Sequence, residues 1–297
     1  MCYFEKEPAP RPFAVPCGRS IVCDIIFREV RLMSATEEFQ VDRLRVSRFA
    51  TREEMGRAAA AAAARKIREL LRQKHAIHII FAAAPSQDEM LAALVREPAI
   101  DWGRVDAFHM DEYVGLTPDA PQGFGNFLRD RIFSKLPFRS VHYIRGGSGD
   151  IARECGRYGR LLKEYPPDIV CLGIGENGHI AFNDPAVADF DDPLPVKEVT
   201  LDEVCRMQQV HDGCFDTLDD VPRTAVTLTV PALTRGGSLF CVVPAATKAG
   251  AVRAMLTGPV DESCPASILR RHPDASLYLD ADSAALLPPG LEKKADG

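Results

Sequence analysis

No long run of lysine or arginine occurs in the 297 residues, and the formal net charge is −6. Both features count against nucleic acid as a partner. No uninterrupted apolar stretch approaches the ~18 residues that a membrane span needs, so no membrane is expected. The nine cysteines are scattered, odd in number, and form no C-x-x-C pair. With no secretory signal, they read as reduced thiols in a cytoplasm rather than as a disulfide framework. Cys171 and Cys241 sit inside apolar runs, as small core residues do. No His/Cys/Asp group has metal-ligand spacing, so no metal is expected. His75, His78 and His109 read as structural. What remains is 46% hydrophobic and 26% charged, ordinary for a globular chain.

The first 32 residues are rich in proline and lack periodicity, so they read as a disordered arm or an upstream translation artefact. Met33 opens MSATEEFQVDRLRV, which looks like an ordinary start. Residues 33–287 show no clean linker and read as one domain, and 288–297 as a loose tail.

Helix and strand signals alternate through that domain. Thr51-x-x-Glu54 is a capping box ahead of an alanine-rich helix that runs to Leu71. Buried-strand runs are expected at 77–84, 105–110, 141–144, 168–174, 224–230, 238–243 and 276–280. Helices are expected after Ser86, over 126–136 (stopped by Pro137), over 151–164 and over 247–256. Such alternation predicts an α/β fold: a doubly wound, mostly parallel, Rossmann-like sheet with helices on both faces. The polar segment 186–222, rich in Asp and Pro, reads as a lid.

Ligands of such folds bind beyond the carboxyl ends of the strands. Three stretches fall there: APSQDE (84–89), MDEYVG (110–115) and GENGHIAFND (175–184). The last belongs to GIGENGHIAFND, whose first six residues spell G-x-G-x-x-G. A dinucleotide fingerprint should open a helix in the first βαβ unit. This one follows a late strand, and Pro185 blocks a long helix. Its glycines are better read as turns that present His179, with Asn177 and Asp184 near enough to fix the ring's tautomer. Asp111 and Glu112 are adjacent acids at a strand end, where one can face the cleft and the other make a structural contact. An acid and a histidine on one rim are the parts for moving a proton beside a carbonyl. Ser86 offers a hydroxyl at a helix start. Lys248 also stands at a helix start, where the dipole disfavours a cation unless an anion is near.

FHMDEYVGL, GIGENGHIAFNDP, VPALT and PAATKAGAV, in this order, resemble glucosamine-6-phosphate deaminase, of a superfamily that also holds 6-phosphogluconolactonase. The resemblance runs from about Met33 to Leu287. It implies a cofactor-free enzyme of amino-sugar catabolism. Its substrate is a small sugar phosphate, glucosamine 6-phosphate, which becomes fructose 6-phosphate and ammonia. Such an enzyme is a deaminating aldose–ketose isomerase that hydrolyses a C–N bond, and a homo-oligomer is possible. Asp111 would then carry a proton between C2 and C1 through an enolamine, and His179 would open the pyranose ring. Asp184 stands where the family has a glutamate that tunes the histidine, and Asn177 where it has an aspartate. Ser86 falls at the threonine of the phosphate loop, and Lys248 matches the phosphate-binding lysine. Glu112 and Arg206 join them as substrate-binding candidates. Arg206 would replace an arginine missing before the VP of the following motif. The family loop reads close to TGGTP, whereas this chain has AAPSQ. Two other readings are a lactonase, whose relatives tend to carry DER in place of MDEY, and a non-catalytic sugar-phosphate sensor.

Overall fold

Thr51 and Glu54 close the N-terminus of the longest described helix. Thr51 is extended, and its side chain accepts from the Glu54 amide while the Glu54 carboxylate answers the Thr51 amide. Two orphan donors are thereby satisfied. Helix α1 (Arg52–Gln73) follows, burying Met55, Ala59, Ala60, Ala63, Ala64, Ile67 and Leu71 on one face. That is the three-and-four spacing of an amphipathic helix. A computed structural model describes residues 35–291, which belong to one compact unit. The expected arm at 1–32 lies outside the described residues, as do residues 292–297 of the expected tail. Leu291 is described, and it is buried.

In chain order the strands of the main sheet are β1 (Glu37–Val41), β2 (Leu44–Arg48), β3 (Ile77–Phe81) and β4 (Val105–His109). Strand β5 (Asp111–Tyr113) leaves that sheet, and β6 (Ser140–His142) and β7 (Ile169–Leu172) return to it. Strands β8 (Val196–Thr200) and β9 (Thr224–Leu228) join β5, and β10 (Ser238–Val243) and β11 (Ala275–Leu279) complete the main sheet. The helices after α1 are α2 (Asp88–Leu94), α3 (Phe124–Leu128), α4 (Ile151–Glu164), α5 (Glu203–His211), α6 (Val230–Thr234) and α7 (Ala249–Thr257).

The eight-stranded sheet runs β1-β2-β11-β10-β7-β3-β4-β6. Every pairing in it is parallel except β1 with β2. Its central strands are buried on both sides. Ile79 and Phe81 of β3 face one apolar cluster and Ile80 the other; Ile169 and Cys171 of β7 divide from Val170 and Leu172 in the same way. This alternation is why those strands read as continuous apolar runs. Truncating one such residue to alanine costs about 2–5 kcal/mol. The doubly wound fold anticipated from the sequence is therefore the one observed. Among the described residues no helix is long and apolar enough to cross a membrane.

Three features differ from the sequence reading. The β1–β2 hairpin was not anticipated; EEFQV and LRVSR carry too many charges to look like strands, and Asp42 makes the turn at φ 51. Strand β9 pairs antiparallel with β5 and β8 in a separate three-stranded sheet rather than entering the main one. Residues 186–222 are not wholly irregular, since they hold β8 and α5.

The winding decides where a ligand goes. From β3 the chain steps outward through β4 to β6, then returns to β7 on the other side of β3 and proceeds to β10 and β11. The order therefore reverses between β3 and β7, and a crevice must open beyond their carboxyl ends. Phe81 pairs with Cys171 there, and the Ala82 amide donates to the Cys171 carbonyl at 2.9 Å. The loops that diverge from this last rung carry Ser86 and His179.

Candidate active site

A narrow cleft of about 50 Å³, open to solvent, occupies that switch point. Ala83 and Ser86 come from the loop after β3, Asp111 from the start of β5, two residues past the end of β4, and His179 from the loop after β7. Gln208 and Gln209 reach in from α5. The three rim stretches picked from sequence thus meet on one wall. The glutamines come from the segment expected to be a lid and carried no signal of their own.

Asp111 opens β5, paired with Thr227 of β9. His109 holds the bend before it. The Ile144 amide donates to His109 Nε2 at 2.8 Å, so Nδ1 must carry the proton, which it gives to the Asp111 carbonyl at 2.9 Å. Burial keeps this imidazole neutral, pushing its pKa down to about 4 against the pull of the Asp111 carbonyl and Glu154. His109 is structural, as its place in an apolar strand implied.

The Asp111 carboxyl is buried, and no hydrogen-bond donor meets it among the described residues. Burial first, and the neighbouring Glu112 charge second, hold its pKa well above the usual carboxylate range. Glu112 is arranged differently, because successive strand residues face opposite ways. Its Oε1 accepts from the amides of Tyr113 and Phe124 at 3.0 Å, and its Oε2 from Gly125 at 2.8 Å. Those bonds staple the turn into α3. Glu112, expected beside the substrate, is therefore turned away from the cleft, and the pair splits into one free acid and one structural acid.

His179 sits on a tight double-back. Asn183 Nδ2 donates to the Ile180 and Leu228 carbonyls at 2.9 and 2.8 Å. Ile180 and Asn183 form a bridge, with Ala181 at φ 48, so Asp184 folds back onto the ring. His179 Nδ1 lies 2.7 Å from Asn177 Oδ1 and 3.1 Å from Asp184 Oδ1. Asn177 Nδ2 meets two carboxylates, Asp184 Oδ1 and Asp202 Oδ2, each at 3.0 Å. Carboxylates only accept, so the amide orientation is fixed and Oδ1 must face the histidine. Nδ1 then carries the proton, and Nε2 is left with its lone pair. Burial raises the Asp184 pKa, but the His179 ring bond and charge, then Asn177 and the Asp202 amide, together bring it below the ordinary value.

Gly175 and Gly178 make this approach possible. A Cβ on Gly175 would stand 2.1–2.3 Å from three atoms of the His179 ring. Gly178 has φ +85, a left-handed conformation that glycine adopts without strain, and a Cβ there would meet Cys264 Sγ at 2.7 Å. The glycines serve the histidine and the fold of its loop.

Asp202 escaped the sequence reading. It is the N-cap of α5, accepting from the Cys205 amide at 2.6 Å, and its own amide donates to Asp184 Oδ2 at 3.2 Å. It therefore ties the helix that delivers Gln208 and Gln209 to the histidine network. Gln208 Oε1 in turn accepts from the Glu176 amide at 2.8 Å.

The remaining candidates divide. Ser86 lines the cleft, and its Oγ accepts from Gln87 Nε2 at 3.1 Å, so its own proton is free for a ligand. Lys248 is not among the residues lining the cleft. It is buried, and its Nζ has no hydrogen-bond partner among the described residues. Burial lowers its pKa, partly countered by the charges of Asp212 and Glu176. A buried ammonium without a partner is costly unless an anion arrives. Arg206, expected as a stand-in phosphate ligand, is occupied elsewhere. Its guanidinium donates to the Leu218 carbonyl and to the Val221 carbonyl at 2.9 and 3.3 Å, closing the loop after α5. One metal-capable group does exist: ligand atoms of His179, Asp184 and Cys205 lie within 4.8 Å of one another. Sequence spacing concealed it, because the turn at 180–183 and the start of α5 bring the three together. All six described cysteines are unpaired. Burial pushes the Cys171 thiol up to about 12.

Residues 50–278 match the model of a family described as glucosamine-6-phosphate isomerases/6-phosphogluconolactonase. The glucosamine-6-phosphate deaminase of Listeria innocua is 36% identical over 205 residues, covering 69% of this chain and 86% of its own. That of Exiguobacterium sibiricum is 36% identical over 192 residues, covering 65% and 74%. A solved monomeric glucosamine-6-phosphate deaminase is similar with a TM-score of 0.74 at 29% identity, covering 81% of this chain and 99% of the other. The 6-phosphogluconolactonase of Thermotoga maritima has a TM-score of 0.66 at 18% identity, covering 80% and 99%, a likeness of fold alone.

Proposed function

Since this chain belongs to the glucosamine-6-phosphate isomerase/6-phosphogluconolactonase family, we propose that it converts glucosamine 6-phosphate to fructose 6-phosphate and ammonia. One observation carries the reading. A proton-hungry carboxyl, Asp111, and an imidazole with a fixed tautomer, His179, face one cleft at the switch point of the sheet.

The steps follow from those two groups. His179 Nε2 relays a proton between the C1 hydroxyl and the ring oxygen, and the pyranose opens. Asp111 then takes the proton from C2, and an enolamine forms as the electron pair moves toward C1. The same carboxyl returns the proton to C1, leaving an imine carbon at C2. Water adds there and ammonia departs. The net change is one water consumed and one C–N bond hydrolysed, coupled to aldose–ketose isomerisation. A desolvated carboxylate is a stronger base than one in water, which suits abstraction from a weak carbon acid. Ser86 and the unpartnered Lys248 are suited to the phosphate, which would supply the anion that the buried ammonium lacks. The unpaired cysteines fit a reducing compartment such as the cytoplasm.

The test is ammonia release from a panel of hexosamine 6-phosphates, with 6-phosphogluconolactone hydrolysis run in parallel. Ammonia with a ketose phosphate is expected. Lactone hydrolysis without ammonia would replace this reading with the lactonase one, in which no C2 proton moves and Asp111 has no such task. Tight binding without turnover would leave a sensor.

A further inference from the structure

A second cavity, of about 540 Å³, lies beside the strand that carries Asp111. The two spaces divide one dipeptide: Asp111 lines the catalytic cleft and Glu112 this one. Its size is that of a small-molecule site. The Glu112 carboxylate at its wall is held by three backbone amides. Leu116, Pro118 and the ring of Tyr143 add apolar surface, and Tyr143 is 36% exposed. Two guanidiniums complete the lining. Arg129 is held by Asn126 and Asp130. Arg145 is different: its backbone amide is fixed on Glu154 at 2.8 Å, yet its guanidinium has no hydrogen bond or ion pair among the described residues. The Tyr143 hydroxyl is likewise without a partner among them.

An apolar wall with an exposed aromatic face, together with an exposed and unpaired guanidinium on a fixed backbone, selects a ligand with two parts. We propose that this cavity binds a small aromatic monophosphate, its ring against Tyr143, Leu116 and Pro118 and its phosphate on Arg145, in a site separate from the catalytic cleft. Aromatic stacking supplies the apolar part and a charge-assisted fork the polar part. Neither part alone is expected to hold.

Adenosine 5′-monophosphate is a suitable probe, titrated calorimetrically into the full chain, with adenosine and inorganic phosphate as separate arms. Saturable binding below about 1 mM is expected for the nucleotide, with each half-ligand at least about tenfold weaker. Arg145→Ala should weaken the nucleotide by about tenfold or more. Thr117→Trp, at an exposed lining position, should block it by filling the space. Both sites are at the surface, and unchanged circular dichroism would show that the fold survives. No saturable binding would overturn the proposal. So would binding left intact in both variants, or inorganic phosphate binding as tightly as the nucleotide. Because the readout is heat of binding, the result stands apart from whether the protein releases ammonia.

Discussion

Asn177 Nδ2 and Asp202 Oδ2 are joined at 3.0 Å, and through that bond the first turn of α5 governs the tautomer of His179. The family resemblance implies an aspartate at the place of Asn177, and an asparagine there would leave the histidine without that charge. The geometry answers that concern. Asp184 reaches Nδ1 itself at 3.1 Å and supplies the charge, while Asn177 bridges two carboxylates that would otherwise repel. An aspartate at 177 would stand within hydrogen-bond distance of two other acids.

Asn177→Asp should therefore lower both melting temperature and kcat at neutral pH, by about 1–3 kcal/mol in stability. Acidification should relieve part of the loss, as one of the three acids takes up a proton. Adding Asp202→Asn restores a donor–acceptor pair and should recover much of the activity. Thermal melts and kcat across pH for the single and double variants check this, and strict additivity would refute the coupling.

Asp111→Asn should reduce kcat by about a hundredfold or more while KM for the sugar phosphate changes little. The same variant should melt higher than the parent at pH 7. The folded pKa of Asp111 lies above its unfolded value, so ionising the buried acid costs stability above the unfolded pKa, and that cost disappears as the pH falls below it. In the parent, kcat/KM should fall with decreasing pH through a pKa above the ordinary carboxylate range.

Lys248→Met should separate binding from folding. Burial depresses the folded pKa of Lys248, so its charge costs stability at neutral pH, a cost that fades as pH rises through that pKa. The variant should melt higher at pH 7 in the absence of ligand. KM should rise by about ten- to a hundredfold with kcat nearly unchanged, the loss of one charge-assisted bond. Steady-state kinetics with a dephosphorylated substrate gives the control: there the two proteins should be alike.

Arg206→Gln and Glu112→Gln should spare KM, since both side chains are spent on backbone groups. Each should lower stability by about 1–3 kcal/mol, or several degrees in melting temperature. A KM rise without a change in melting temperature would return either residue to the substrate.

Much of the scaffold was legible because its marks are local. The Thr51–Glu54 capping box and the doubly buried β3, β4 and β7 announce themselves over a few residues. From the order of elements came the carboxyl rim, and from the rim Asp111, Ser86 and His179. The β1–β2 hairpin did not show, because half its side chains face water at a sheet edge. Nor did Asp202, which meets residues 18 and 25 positions earlier through a chain reversal that no spacing rule encodes. Arg206 misled for the opposite reason: its type and place suited a phosphate, but the loop carbonyls after α5 claim it. Split roles within Asp111–Glu112 follow from strand alternation, whereas which acid faces which space depends on the amides of Phe124 and Gly125, a dozen residues on in sequence.

The contact between Gly175 and the His179 ring has a consequence for how this protein can change. Every other amino acid adds a Cβ, and the ring is already where that atom would be. Codon 175 is thus closed to drift for as long as the histidine stays in place, while Asn177, two positions on, has a workable alternative once Asp202 changes with it. A saturation library should find survivors at 177 paired with 202 and none at 175. The dinucleotide-like spelling of this loop is thus the footprint of one imidazole, and it will recur in sequence scans wherever a ring lies flat on a main chain.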